Sequence, residues 1–142
     1  MSSFKAFDIA GSGMSAQSVR LNTTASNLAN AESVSGDPNR VYKARHPIFE
    51  AVRAQLAANA PSDGGNAAVR VRGIYESQAP AAARYEPGNP LANAEGYVYA
   101  PAVNVVEEMV NMISASRSYQ NNVEVMNTSK DLLLATLRLG QG

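Results

Sequence analysis

Apolar residues recur every seven positions at both ends of this chain, and the middle carries no such repeat. Phe7, Met14, Leu21 and Leu28 form the first ridge, with Gly11, Ser18 and Ala25 in the four-residue step between them. Val105, Met112, Tyr119, Met126 and Leu133 form the second, with Met109, Val123 and Leu137 in intervening positions. A period of about 3.5 residues in a helix makes a narrow stripe that fits another helix, not the wide face that covers a globular core. The pattern predicts one helix from about Phe4 to Ala31 and another from about Asn104 to Leu139, roughly 40 and 50 Å long. Ser2 or Ser3 can cap the first, and Asn30 can end it. Asn104 followed by Glu107 resembles a capping box for the second, Arg138 suits its negative end, and Gly140 stops it. Amides crowd the stripes: Asn22, Asn27 and Asn30 on one, Asn121, Asn122 and Asn127 on the other. Buried amides need hydrogen-bond partners. An isolated two-helix hairpin would leave most of these wet, so the pattern favours packing between subunits.

The central stretch holds most of the Pro and Gly, and its periods are short. Val69 to Arg72 alternates as a half-buried strand that continues through Ile74 and Tyr75. Gly96 to Tyr99 reads as a second strand, ended by Pro101. Val41 to Phe49 fits a third, with Pro47 confining it to an edge or breaking it, although Ile48, Val52 and Leu56 also fit a helical spacing. Ala60 to Asn66 reads as a mobile surface loop. Pro87-Gly88 suits the centre of a type II turn. The fold class expected is α+β. Long N- and C-terminal helices form an antiparallel coiled-coil hairpin around a small β-rich middle domain, with boundaries at 1–34, 35–101 and 102–142.

Composition narrows the function. Twelve basic residues balance twelve acidic ones among 142, which gives no electrostatic reason for a nucleic-acid partner. No Cys is present, so disulfides and thiolate metal sites are out. Lys5, Asp8, Gly11 and Gly13 interrupt the N-terminal apolar stretch, so a cleavable signal is not expected, and no apolar run approaches the length of a direct membrane span.

Candidate chemistry is thin. Gly11-Ser12-Gly13-Met14-Ser15-Ala16 matches the dinucleotide fingerprint, with Glu32 at ribose distance. The fingerprint needs a buried strand before it, whereas Lys5 and Asp8 stand there and the heptad runs through the glycines. Small residues that let two helices approach are the better account. His46 is the only imidazole, with no second ligand or nucleophile spaced for it. Arg40, Lys43, Arg45 and Arg53 read as a solvated basic loop face. Glu107 and Glu108 point about 100° apart on a helix, so they read as charges favouring the helix start. No cofactor, metal or catalytic set is expected.

Ser26-Asn27-Leu28-Ala29-Asn30-Ala31, preceded by Gly13-Met14-Ser15-Ala16-Gln17, resembles the N-terminal signature of bacterial flagellar axial proteins, the rod and hook subunits. Glu76 to Pro80, Tyr85-Glu86-Pro87-Gly88-Asn89-Pro90-Leu91-Ala92, Gly96-Tyr97-Val98, Glu108 to Asn111, Ser114 to Gln120 and Leu137 to Gln141 are similar to the proximal-rod members of that family. The stretch from Pro47 to Ala68 is longer and richer in Ala than is usual there. The resemblance implies a non-enzymatic structural subunit of the basal body. It also implies export without a cleaved signal through the flagellar type III apparatus, and terminal helices that line the export channel. The implied partners are other flagellar rod subunits, the rod-base adaptor and the membrane-embedded ring protein. The assembly residues expected are Phe7, Gly11, Met14, Ser18, Leu21, Ala25, Asn27, Leu28, Asn30, Val105, Met109, Met112, Tyr119, Val123, Met126, Leu133 and Leu137. A soluble adaptor that binds one partner helix without polymerising is the alternative reading.

Overall fold

Two long helices flank two small antiparallel sheets in the computed structural model, which describes residues 2–53 and 67–140. Helix α1 spans Ser2–Asn30, and a 3-10 turn follows at Pro38–Arg40. Strands β1 (Arg45–Arg53) and β2 (Ala67–Glu76) form one two-stranded sheet. Strands β3 (Ala82–Tyr85) and β4 (Tyr97–Ala100) form the other, and helix α2 spans Val105–Leu139. The architecture is α+β, as the periodicity predicts. The expected loop at Ala60–Asn66, and the side chains of Ser2 and Ser3, lie outside the described residues.

Both helices end for local reasons. The Asn104 side chain accepts from the amides of Val106 and Glu107 at 3.1 and 3.4 Å and so caps α2. Glu107 and Glu108 occupy the positive first turn and Arg138 the negative last turn. At the end of α1, the Asn30 side chain donates back to the Ser26 carbonyl, while Ser33 donates to the Asn30 carbonyl through both its amide and its hydroxyl.

The two strands beginning at Arg45 and Ala67 pair from Arg45↔Glu76 to Arg53↔Ala67, with a register shift between Ile48 and Phe49. Ile48 pairs with Gly73 and Phe49 with Val71, so Arg72 is the extra residue of a β-bulge. Pro47 sits in β1 opposite Ile74. A two-stranded sheet has only edges, so the missing amide is tolerated. The extended backbone decides between the two readings of this segment: Ile48 and Val52 are strand residues, and Leu56 lies outside the described residues.

The second sheet is closed by a connection rich in hydrogen bonds. The Asn89 amide donates to the Glu86 carbonyl, so Pro87-Gly88 is a turn centre. It is not type II, because the positive φ that type II demands is absent at Gly88. That conformation occurs at Gly96, with φ +82°, where a side chain would also press on Tyr85 and Pro87. The Asn93 side chain accepts from the amides of Glu95 and Tyr97 and shapes the return into β4. Ser35 bridges to Tyr99 by backbone bonds in both directions. This ties the segment after α1 to the second sheet, whose Val98 is fully buried.

Candidate functional site

The helices run antiparallel. Met126 packs near Gly11, Asn122 against Gly13, Asn111 against Arg20 and Glu108 against Asn27. The α1 line in these contacts, Gly13, Arg20 and Asn27, is spaced by seven. So is the covered line of α2: Glu108, Ala115, Asn122 and Ser129. On α1 each lies one residue before an apolar ridge residue, Met14, Leu21 and Leu28; on α2 Glu108 and Asn122 precede Met109 and Val123, while Ala115 and Ser129 precede the polar Ser116 and Lys130. One residue turns a helix by about 100°. The intramolecular seam is therefore built mainly of small and polar side chains, with Met126 over Gly11 as an apolar member, and the rest of the apolar ridges run along its flank.

Small residues set how close the helices come. A Cβ on Gly13 would lie 2.8 Å from Asn122 Nδ2, so the glycine of the fingerprint-like run leaves room for an amide. That run lies wholly inside α1, without the strand and turn that dinucleotide binding requires.

At its inner end the seam closes on a polar clasp. Asn27 is fully buried. Its Nδ2 donates to the Arg45 carbonyl at 2.9 Å and to Glu108 Oε2 at 3.0 Å. Its Oδ1 accepts from the Tyr42 hydroxyl and the Arg45 amide, both at 2.8 Å. All four hydrogen-bonding positions of the amide are used, and they join α1, the segment before β1, the start of β1 and α2. The expectation of amides satisfied between subunits does not hold for Asn27, whose partners all belong to its own chain. Glu108 is buried as a partner of Asn27, a role beyond favouring the helix start. Burial pushes the Tyr42 hydroxyl above its ordinary value; Arg45 opposes this and Glu108 adds to it. The Arg45 guanidinium, assigned from sequence to a solvated cluster, pairs with Glu76 at 3.1 Å and lies 5.9 Å from the Tyr42 ring centre.

The expected assembly residues divide by position. Asn27 is buried, and Phe7, Gly11, Met14, Leu21, Leu28, Asn30, Met112, Val123, Met126 and Leu133 are half-buried along the hairpin. Ser18, Ala25, Val105, Met109, Tyr119 and Leu137 are exposed. Sequence periodicity passed over three further residues. Val106, Val110 and Ile113 join Met109 in an i, i+3, i+4, i+7 stripe on α2, and all four are more than half exposed. Their spacing is in the sequence, but the longer heptad beside them dominates the pattern. Leu132, Leu137 and Leu139 extend the uncovered apolar surface toward the helix end. No described helix is long and apolar enough to cross a membrane.

Comparison with known proteins bears on both helices. Residues 7–36 match the family model described as flagella basal body rod protein, and residues 94–139 match the flagellar basal body rod FlgEFG protein C-terminal model. The chain is 56% identical to the flagellar basal-body rod protein FlgC of Salmonella typhimurium, over 95% of this chain and 96% of that one. It is 54% identical to FlgC of Yersinia enterocolitica over 99% and 100%, and 40% identical to FlgC of Aquifex aeolicus over 96% of each. With a helical hairpin at its ends, a small β region between them and full-length likeness to these relatives, the chain belongs to the FlgC family of flagellar basal-body rod proteins.

Proposed function

We propose that the chain is a non-catalytic subunit of the flagellar rod that assembles through its terminal helices into a helical tube around the export channel. The β region faces outward. The proposed neighbours are other rod subunits, the rod-base adaptor and the membrane-embedded ring, reached by export without a cleaved signal. One observation carries the reading: the hairpin closes mainly on small and polar residues, leaving the stripe at Val106, Met109, Val110 and Ile113 in water. Covering one such side chain is worth about 1.5–3 kcal/mol, and a neighbouring helix is the surface that fits a stripe of this spacing. The half-buried ridge at Leu21, Leu28, Met112 and Met126 would be completed by the same neighbours.

Val110→Asp tests this directly. The residue is exposed, so the isolated chain should keep its stability within about 0.5 kcal/mol of the unaltered one. A charge buried in an inter-subunit contact has no partner, so the variant should fail to co-purify with basal bodies and should not restore motility to cells lacking the native chain. Normal incorporation would remove this stripe from the assembly surface. Binding of the unaltered chain to one partner at fixed stoichiometry, without basal bodies, would favour the adaptor.

A further inference from the structure

A groove of about 340 Å³ opens where α1, β1 and α2 meet, lined by Arg20, Thr24, His46, Pro47, Phe49 and Asn111. Its polar groups are incompletely used. Arg20 is half-buried and donates through Nη2 to Asn111 Oδ1 at 3.0 Å. Among the described residues no carboxylate pairs with it. Thr24, only 4% exposed, lines the groove, and the hydroxyl of its neighbour Thr23 is turned to the Val19 and Arg20 carbonyls. His46 stands exposed at the rim. Pro47 and Phe49 supply an apolar wall.

A guanidinium drawn partly out of water without a counter-charge is unfavourable. Its planar fork retains donors beyond the one held by Asn111, and that fork matches a carboxylate. Of the acids on the surrounding elements, Glu50 pairs with Arg70, Glu76 with Arg45 and Glu108 with Asn27, and Glu107, one turn before Asn111 on α2, is exposed and makes no ion pair with Arg20. The groove is large enough for an acidic side chain with its stem against Phe49.

We propose that this groove receives the carboxylate of an acidic side chain from a neighbouring rod subunit, held by Arg20, with Thr24 as a second donor. The proposal rests on the reading of the chain as a rod subunit and adds a specific polar contact to the apolar one. It predicts that an amine placed in the groove will touch that carboxylate. Arg20→Lys and His46→Lys chains should be expressed in cells lacking the native copy, and isolated basal bodies treated with a water-soluble carbodiimide. This reagent joins an amine to a carboxylate in contact with it, with loss of water. The expected result is a new cross-linked peptide joining the introduced amine to an Asp or Glu of another polypeptide, absent from the unaltered chain.

Incorporation without a new link, or a link only to this chain's own Glu107, overturns the proposal. Should Arg20→Lys stay out of rods, His46→Lys gives the same readout from the rim. Exclusion of both also overturns it, because both variants keep or add the positive charge the site requires. If the unaltered chain itself fails to co-purify with basal bodies, the rod reading fails first, an outcome distinguishable from failure of the groove.

Discussion

The two ends of the hairpin are held by opposite means. At the inner end, Asn27 is buried with four directed bonds that fix α1, α2 and the entry to β1 together. At the outer end the seam passes Gly11 and Gly13, and Leu132, Leu137 and Leu139 stand uncovered on α2. Hydrogen bonds with strict geometry specify one arrangement. Apolar surface accepts any partner of suitable shape. The contrast assigns internal register to the inner end, while apolar surface for external association lies on α2 at both ends, at Val106 to Ile113 beside the clasp and at Leu132 to Leu139 beyond the glycines.

The largest expected effect tests the inner end. Asn27→Ala strands the Arg45 amide and carbonyl, the Tyr42 hydroxyl and the Glu108 carboxylate at once. Each unpaired buried group costs about 1–3 kcal/mol, more when charged. Urea unfolding should show a loss of at least about 3 kcal/mol; a loss under about 1 kcal/mol would mean that the clasp does not set the register. Gly13→Val tests the close approach farther out. Its branched side chain meets Asn122, and overpacking of this kind costs about 1–3 kcal/mol. Adding Asn122→Ala should recover part of that loss, and a double variant no more stable than the single one would assign the cost to the helix backbone instead.

Tyr42→Phe is the mildest and sharpens the account of the clasp. It removes one bond to Asn27, at about 1 kcal/mol. Burial holds the Tyr42 hydroxyl above its ordinary value of 10.0. The folded state thus favours the protonated form. That contribution is present in full below pH 10 and is lost as pH rises through the higher folded value. The unaltered chain should lose stability in that alkaline window, and Tyr42→Phe should lose less. Equal losses would place the alkaline sensitivity in other groups.

Much of this was legible in the sequence. Helix ends at Asn104 and near Asn30 follow from side chains that satisfy backbone groups locally, and α+β organisation follows from the change of period between ends and middle. The seam was harder. Heptad reading finds the most apolar line, whereas the contact follows where Gly13 permits approach and where Asn27 finds Glu108, one residue away. No periodicity marks the clasp, because Tyr42 reaches it from a segment without regular structure and Arg45 reaches it through the backbone at the start of β1. The bulge at Arg72 and the move of the positive φ from Gly88 to Gly96 depend on strand pairing, which a single sequence does not display.

In the proposed rod assembly the clasp has a mechanical consequence. Directed bonds resist shear, while contacts among small side chains let one helix slip along another with little change in energy. Under twisting load, sliding within the hairpin would be arrested at Asn27 and accumulate toward the glycines. Torque arriving at the β region would pass into both helices together at the clasp, and into α1 again where the Val69 amide donates to the Ser12 hydroxyl.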